Sequence, residues 1–347
     1  MKLNRLVLHG FMTAFLMASV SAHASLTVLQ TFGGTIGVST DGWGSKSQVG
    51  VISASVPVGS TVLAAYLYTS TFSREWESLA SSGSPVGGTF AGNAVSYTPL
   101  GYNNDYLMAG RMDVTDWVKP QIDNGLGGIY NFAVTETSFV QDGEALVVVY
   151  NNPLLANATV GILDGFSHSL GDTTILNFAA PLDPSAAEFK AELRLGIGYS
   201  ALFQSSSVRV NGLPLTLNAG SNDDCDGDAD CTWADGRLIT VGGFDDPFSP
   251  LNPDYYNDHE RYDLRSFIKA GDGSITLDTL NPTYDDNIFL AVVDVSGFAG
   301  INEPPPTIIV PPVSSVPEPE SLVMLCVALA FMAGQRHYSQ RRQNPIE

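Results

Sequence analysis

The chain has 347 residues, 44% of them hydrophobic, with 16 Lys and Arg against 36 Asp and Glu and a formal net charge of −20. So acidic a balance argues against nucleic-acid binding, which needs a basic footprint for phosphate, and the steady recurrence of Val, Leu, Ile and aromatic residues argues against disorder. It is compatible with bound divalent cations and with solubility in a crowded matrix.

Residues 1–24 carry the three parts of a secretory signal. Lys2 and Arg5 make a positive start, Leu6 to Val20 is mostly apolar, and Ala22 and Ala24 offer small side chains where a signal peptidase reads them. Cleavage is expected before Ser25, with the mature chain folding outside the cytoplasm. Without residues 1–24, which hold Lys2 and Arg5, and without residues 336–347, which hold Arg336, Arg341, Arg342 and Glu347, 11 basic and 35 acidic residues remain.

From Ser25 to Gly300 helical periodicity is nearly absent. Short β-branched and aromatic runs recur between Gly, Asn, Asp and Pro: SLTVLQTF, STVLAAYLYTSTF, ALVVVYNN, ATVGILDGF, TTILNFAA, AELRLGIGY, SVRVNGLPLTL, RLITVGGF, GSITLDTL and NIFLAVVDV. That spacing predicts an all-β antiparallel sandwich, in two tandem jelly-roll-like domains over 25–155 and 156–300. The order of segments repeats. STVLAAYLYTSTF, TFAGNAVSYTPLG, RMDVTDWVKPQIDNG and DGEALVVVYNN answer FKAELRLGIGYSAL, SVRVNGLPLTLNAG, RYDLRSFIKAGDG and DDNIFLAVVDV. Asp113 then matches Asp263, Trp117 matches Phe267, Val118 matches Ile268 and Lys119 matches Lys269. Each Asp stands where it can accept backbone N–H bonds from one helical turn, and each aromatic is expected in the core. These Asp-Val-Thr-x-x-Val-Lys and Val-Asn-Gly segments resemble pieces of galactose-binding-like jelly rolls, over about a dozen residues per repeat.

Within the second domain, SNDDCDGDADCTWADG alternates Asn222, Asp224, Asp226, Asp228 and Asp230 around Gly227, with Asp235 beyond. Calcium needs several oxygens from one tight loop, and this pattern supplies them; Trp233 stands where an EF-hand has its bidentate Glu. Cys225 and Cys231 are the only cysteines of the body and form the expected disulfide in an oxidising compartment. The sequence leaves two readings open, a structural Ca2+ site or an acidic turn held by the disulfide alone. Asp245-Asp246 and Asp285-Asp286 read as turn caps more readily than as a second cation site. Zinc is disfavoured, because His168 and His259 have no ligand spacing between them.

Residues 301–316 are a Pro-rich spacer. Beyond it, Val316-Pro317-Glu318-Pro319 precedes 14 uncharged residues, Ser321, Leu322 and onward to Gly334, and then Arg336, Arg341 and Arg342. As a helix that run spans about 21 Å against a hydrocarbon core of about 30 Å, a marginal membrane segment with a basic stop on its cytoplasmic side. The three parts in this order, over 317–342, resemble a PEP-CTERM sorting tail, although Glu320 replaces a usual small residue and the arginines are more spread. The resemblance implies transient residence in the inner membrane of a Gram-negative bacterium. It also implies processing by an exosortase and delivery to the cell surface or an exopolysaccharide matrix.

No Gly-x-Ser-x-Gly elbow and no phosphate-cradling loop occurs. Tyr102, Tyr106, Tyr255, Tyr256 and Trp76 lie among Asn and Asp in surroundings that suit sugar rings. The expectation is therefore a surface or matrix protein that binds or builds, possessing polysaccharide contacts and no catalytic centre. The alternative is a polysaccharide-acting glycosidase or lyase with paired carboxylates, for which Glu75, Glu77, Glu144 and Glu260 are available without an evident pairing.

Overall fold

Alternating inward side chains and Gly-containing turns fold the body into two rolls of closely similar connectivity, each nine-stranded among the described residues. The computed structural model describes residues 26–301 apart from 45–46, 73–86, 103–106, 124, 139, 169, 200–205, 221–238, 255–256 and 282–286. The signal segment, the acidic loop 222–235 with both its cysteines, and the whole of 302–347 lie outside the described residues.

Roll 1 runs through β2 (Ile36–Trp43), β3 (Val49–Val56), β4 (Thr61–Phe72), β5 (Gly88–Phe90), β6 (Asn93–Val95), β7 (Thr98–Tyr102), β8 (Leu107–Asp113), helix α1 (Thr115–Ile122), β9 (Gly128–Glu136) and β10 (Gln141–Asn151). Its sheets have the orders β2-β10-β4-β8-β7 and β3-β9-β5-β6. Roll 2 runs through β11 (Ala158–Asp164), β12 (Asp172–Asn177), β13 (Ala191–Gly198), β14 (Ser206–Val210), β15 (Leu213–Ala219), β16 (Thr240–Val241), β17 (Arg261–Asp263), a 3-10 turn (Arg265–Phe267), β18 (Ser274–Leu280) and β19 (Asn287–Ser296). Its sheets are β11-β19-β13, with β16 and β17 both on β13, and β12-β18-β14-β15. Apart from β16, which joins β13 whereas β7 joins β8, the two strand orders match and follow the Greek keys of a jelly roll.

The matched details go down to single bonds. Asp113 Oδ1 accepts the Thr115 N–H at 2.9 Å and Asp263 Oδ1 the Arg265 N–H at 3.0 Å. Val114 N–H bonds Ala65 and Leu264 N–H bonds Ala191. The hairpin turns β5–β6 and β14–β15 pass through Ala91-Gly92 and Asn211-Gly212, all four with positive φ (49°, 80°, 50° and 76°), the twist of a type I′ turn. The aromatic pair diverges. Phe267 is buried as expected, whereas Trp117 is half-buried, its ring 6.4 Å from that of Phe90.

The rolls are not independent beads. Three cores alternate with four sheets. One, with Ile52, Leu67, Phe132 and Leu146, fills roll 1; another, with Leu193, Val208, Phe267 and Ile275, fills roll 2. The third lies between the two larger sheets, where Val38, Tyr68 and Val147 meet Ile162, Val241 and Phe289. Both inner sheets are therefore covered on both faces, which is why β10 and β19 read as unbroken apolar runs instead of alternating. The approach is close: a Cβ on Gly198 would stand 1.7 Å from Ser70 Oγ across that interface.

β1 (Thr27–Gly34) adds to this bond between rolls. It pairs with β11 of roll 2, Thr27 opposite Asp164, and the chain then turns at Thr35 to enter β2 of roll 1. A buried ionic cluster also ties the inner sheets. Arg194 on β13 donates to Val38 O (3.3 Å) and Thr40 Oγ1 (3.1 Å) of roll 1 and to Glu192 Oε2 (3.0 Å). Lys190 reaches Glu192 (3.3 Å) and Asp294 (2.7 Å), and Arg261 stands 3.7 Å from Glu192. Burial pushes the Glu192 carboxyl up, but Arg194, Lys190 and Arg261 outweigh it and hold it below the usual carboxylate range.

Candidate functional site

Register fixes which loops are neighbours. β10 runs from Glu144, opposite Trp43 and Thr69, to Asn151, opposite Ile36 and Thr61; β11 then starts at Ala158 and returns to Asp164. The connections β2–β3, β4–β5, β7–β8 and β9–β10 of roll 1, and their counterparts in roll 2, consequently gather at one end of the stack. Asp142 and Ile239 share a backbone bond there. The other end holds Thr35, Asn152 and the close of β19, after which Ile301 pairs with Phe178. Ile301, the last described residue, lies at the end opposite these loops.

The base of the acidic loop belongs to the loop-bearing end and is well built. Gly220 donates to Glu260 Oε1 at 2.8 Å, and the single Tyr262 hydroxyl hydrogen is shared between Asp258 (2.6 Å) and Glu260 (2.9 Å). Asp258 also takes bonds from Thr216 and Ser249. Burial pushes its carboxyl up, and those hydroxyls pull it back. Glu260 is thereby a structural anchor with Asp258.

Glu144 has a carboxyl partner that the sequence analysis did not assign. Glu136, at the end of β9, meets it in the mouth of roll 1; the two are 7% and 1% exposed. The period-2 alternation of β9 was a usable signal, since Phe132 and Val134 point inward and Glu136 continues that series. Burial, and then the Glu144 and Asp142 charges, push Glu136 far above the usual range. Burial also raises Glu144, against hydrogen bonds from Glu136 and Tyr97. No sugar ring fits between carboxyls so placed, so the pair is not the open two-carboxylate arrangement of a glycosidase.

An open cleft of about 550 Å³ lies elsewhere, between β1 and the start of α1, lined by Gln30, Leu63, Tyr66, Asp113, Asp116 and Trp117 among others. Tyr66 Oη donates to Gln30 Oε1 at 2.5 Å, and the Arg111 guanidinium lies 5.9 Å from the Tyr66 ring centre. Arg111 in turn pairs with Asp164, which also accepts from Tyr68 Oη at 3.2 Å. Asp113 and Asp116 occupy one wall, three residues apart at the start of α1, and Trp117 continues it. Aromatic faces with carboxylates and an amide at their edges are the equipment for holding a polyhydroxylated ring.

Of the other sequence candidates, Trp76, Tyr106, Tyr255, Tyr256, Glu75, Glu77, Asp285 and Asp286 lie outside the described residues, as does the Tyr102 side chain. Asp246 caps a turn by accepting the Gly243 N–H at 2.6 Å. His168 accepts from Leu170 N–H at 3.0 Å, a local turn contact. Among the described residues no three or more His, Cys, Asp and Glu side chains are grouped to hold a metal, and no helix is long and apolar enough to cross a membrane.

No family model matches the chain, and no curated protein matches it. Among solved structures, BuGH86 in complex with neoagarooctaose is similar at 12% identity over 75% of this chain and 33% of that one, with a TM-score of 0.21. A variant of BuGH86 with the same ligand is similar at 11% identity over 75% and 34%, with a TM-score of 0.19. The chain spans about a third of the length of those structures, and likeness at such TM-scores carries no argument.

Proposed function

We propose that this is an exported surface or matrix protein that contacts polysaccharide, sorted through its C-terminal tail by an exosortase. The observation that carries the binding reading is the cleft at α1, which is open and aromatic-walled and has its carboxylates on one side only. An enzyme of the glycosidase kind needs carboxyls on opposite sides of the scissile bond. Surface display is supported by the sorting tail that the sequence carries over 317–342. A structural Ca2+ in loop 222–235, closed by Cys225–Cys231, belongs to the same reading.

The test is affinity electrophoresis of residues 25–301 in gels cast with acidic and neutral exopolysaccharides. Retardation that Trp117→Ala and Asp116→Ala each weaken at least about fivefold, the ~1 kcal/mol an aromatic contact is worth, with unchanged melting temperature, supports the cleft. Equal retardation of the variants removes it. Release of new reducing ends or unsaturated products would replace binding with catalysis. Mass analysis of surface material covers the tail: an intact chain through Glu347 counts against sorting by cleavage.

A further inference from the structure

The mouth of roll 1 carries a charge problem that the same place in roll 2 does not. Glu144 is in register with Trp43 on β2 and Thr69 on β4. The corresponding triple in roll 2 is Ala291 with Leu163 and Leu195, and Thr279 of β18 answers Glu136. The fold therefore needs no charge here, although Thr279 also keeps an unpartnered hydroxyl. Roll 1 instead buries two carboxyls with no cationic side chain among the described residues that pairs with either. Tyr97 stands beside Glu144 as a donor, yet with both carboxyls ionised no hydrogen bond reaches either oxygen of Glu136 or Oε2 of Glu144. Thr71, fully buried two residues beyond Thr69 on the same face of β4, has an unpartnered Oγ1 as well.

Buried charges without partners cost several kcal/mol each even after relaxation, and an orphaned polar group in a native core asks for an unseen ion or water. A single proton shared between the carboxyls would join two oxygens and leave the remaining Glu136 oxygen and Thr71 Oγ1 unserved. A hard cation uses all of them. We infer that Glu136, Glu144 and Thr71 hold a divalent, oxygen-preferring cation of the calcium or magnesium type between the two sheets of roll 1. These side chains give up to four oxygens, fewer than the six to eight Ca2+ takes, so water completes the shell. Glu136 closes β9 and Glu144 lies near the start of β10, on opposite sheets, and the ion fastens the roll at its loop-bearing mouth.

The inference is independent of the acidic loop 222–235 and of the cleft. Its test is thermal unfolding of residues 25–301 in EDTA and in millimolar CaCl2 or MgCl2, for the wild type, for Glu144→Gln, for Glu136→Gln, and for a loop variant with Asp224, Asp226 and Asp228 changed to Asn. A native-state ligand raises the melting temperature by mass action. The expected result is a rise in the wild type and the loop variant with either ion, lowered in both Gln variants to no more than the loop's own contribution; both Gln variants themselves melt higher than wild type in EDTA because repulsion is gone. A rise of equal size in Glu144→Gln, or no rise in the loop variant, overturns the site. No rise in the wild type also overturns it, leaving protons to satisfy the pair. If a Gln variant fails to fold, Tb3+ emission excited through Trp43 decides on the folded chain. Loss of that emission in Trp43→Phe, with retention in Trp233→Phe, upholds the site, and the reverse pattern overturns it.

Discussion

Replacing Arg194 with Met tests how the two rolls are joined. The guanidinium is 5% exposed and spans from β13 to Val38 and Thr40 of the other roll while pairing with Glu192. Met keeps the apolar stem and deletes the charge, leaving Glu192 and Asp294 to Lys190 and the more distant Arg261. Removing one partner of a buried pair costs about 3–5 kcal/mol. Because Lys190 and Arg261 stay, the lower figure applies, about 3 kcal/mol, or a melting temperature lower by roughly 6–12 °C. The pH dependence identifies the cause. Glu192 is depressed in the folded wild type, so its contribution is present above the ordinary carboxylate value of 4.5 and is lost as pH falls through the depressed one. In Arg194→Met that depression is relieved, so the deficit against wild type shrinks as pH falls below 4.5 through the depressed value. Denaturant melts followed by tryptophan fluorescence at several pH values measure it. A loss under 1 kcal/mol at pH 7, or one that is flat with pH, refutes the charge argument.

Ala91 holds a φ of 49° in the β5–β6 turn, so Ala91→Gly should stabilise by about 0.4–1 kcal/mol, read as a higher denaturant midpoint at unchanged slope; a lower midpoint contradicts the turn assignment. Asp41, buried near Asp245 and Asp246 with its carboxylate on the Ser53 N–H, is pushed up from 3.8 to about 7, first by burial. Its proton is held in the fold and not in the unfolded chain, so stability falls as pH rises from about 4 to about 7, and Asp41→Asn should flatten that slope in melts across this range. Leu26 is 3% exposed in the roll 2 core; Leu26→Ala should cost about 2–4 kcal/mol, and a neutral result would place the mature terminus outside the core.

Much of this architecture was legible in the chain. The runs from STVLAAYLYTSTF to NIFLAVVDV are strands, and the matched Asp113 and Asp263 do the same work in two rolls because a short polar acceptor after a strand closes the next turn locally. Local chemistry is what a sequence displays best. RLITVGGF was expected as a full strand but yields only Thr240–Val241, since Gly242 runs so tightly under Glu260 that a Cβ there would be 2.3 Å from its carbonyl oxygen. Trp117 was expected inside and instead walls the cleft, a difference set by which face of α1 packs on β4. The stacking of the rolls was not legible. An unbroken run such as ALVVVY announces burial on both faces without naming what covers the second. Glu136 was readable only through alternation, and its partner only through register between strands that a sequence does not pair.

The placement of β1 has a consequence for assembly. Thr27 and its partner Asp164 are 137 positions apart, so the first segment of the body to emerge must wait, unpaired, until that whole stretch has followed. Residues 36–151 can complete their own barrel of contacts meanwhile, but the remaining half, made alone, would present the flank of β11 as a bare row of amides and carbonyls. Cut apart at residue 155, the two pieces should not behave alike: the leading fragment keeps a dangling arm, and the trailing fragment acquires a sticky margin that recruits any extended strand, its own neighbours included.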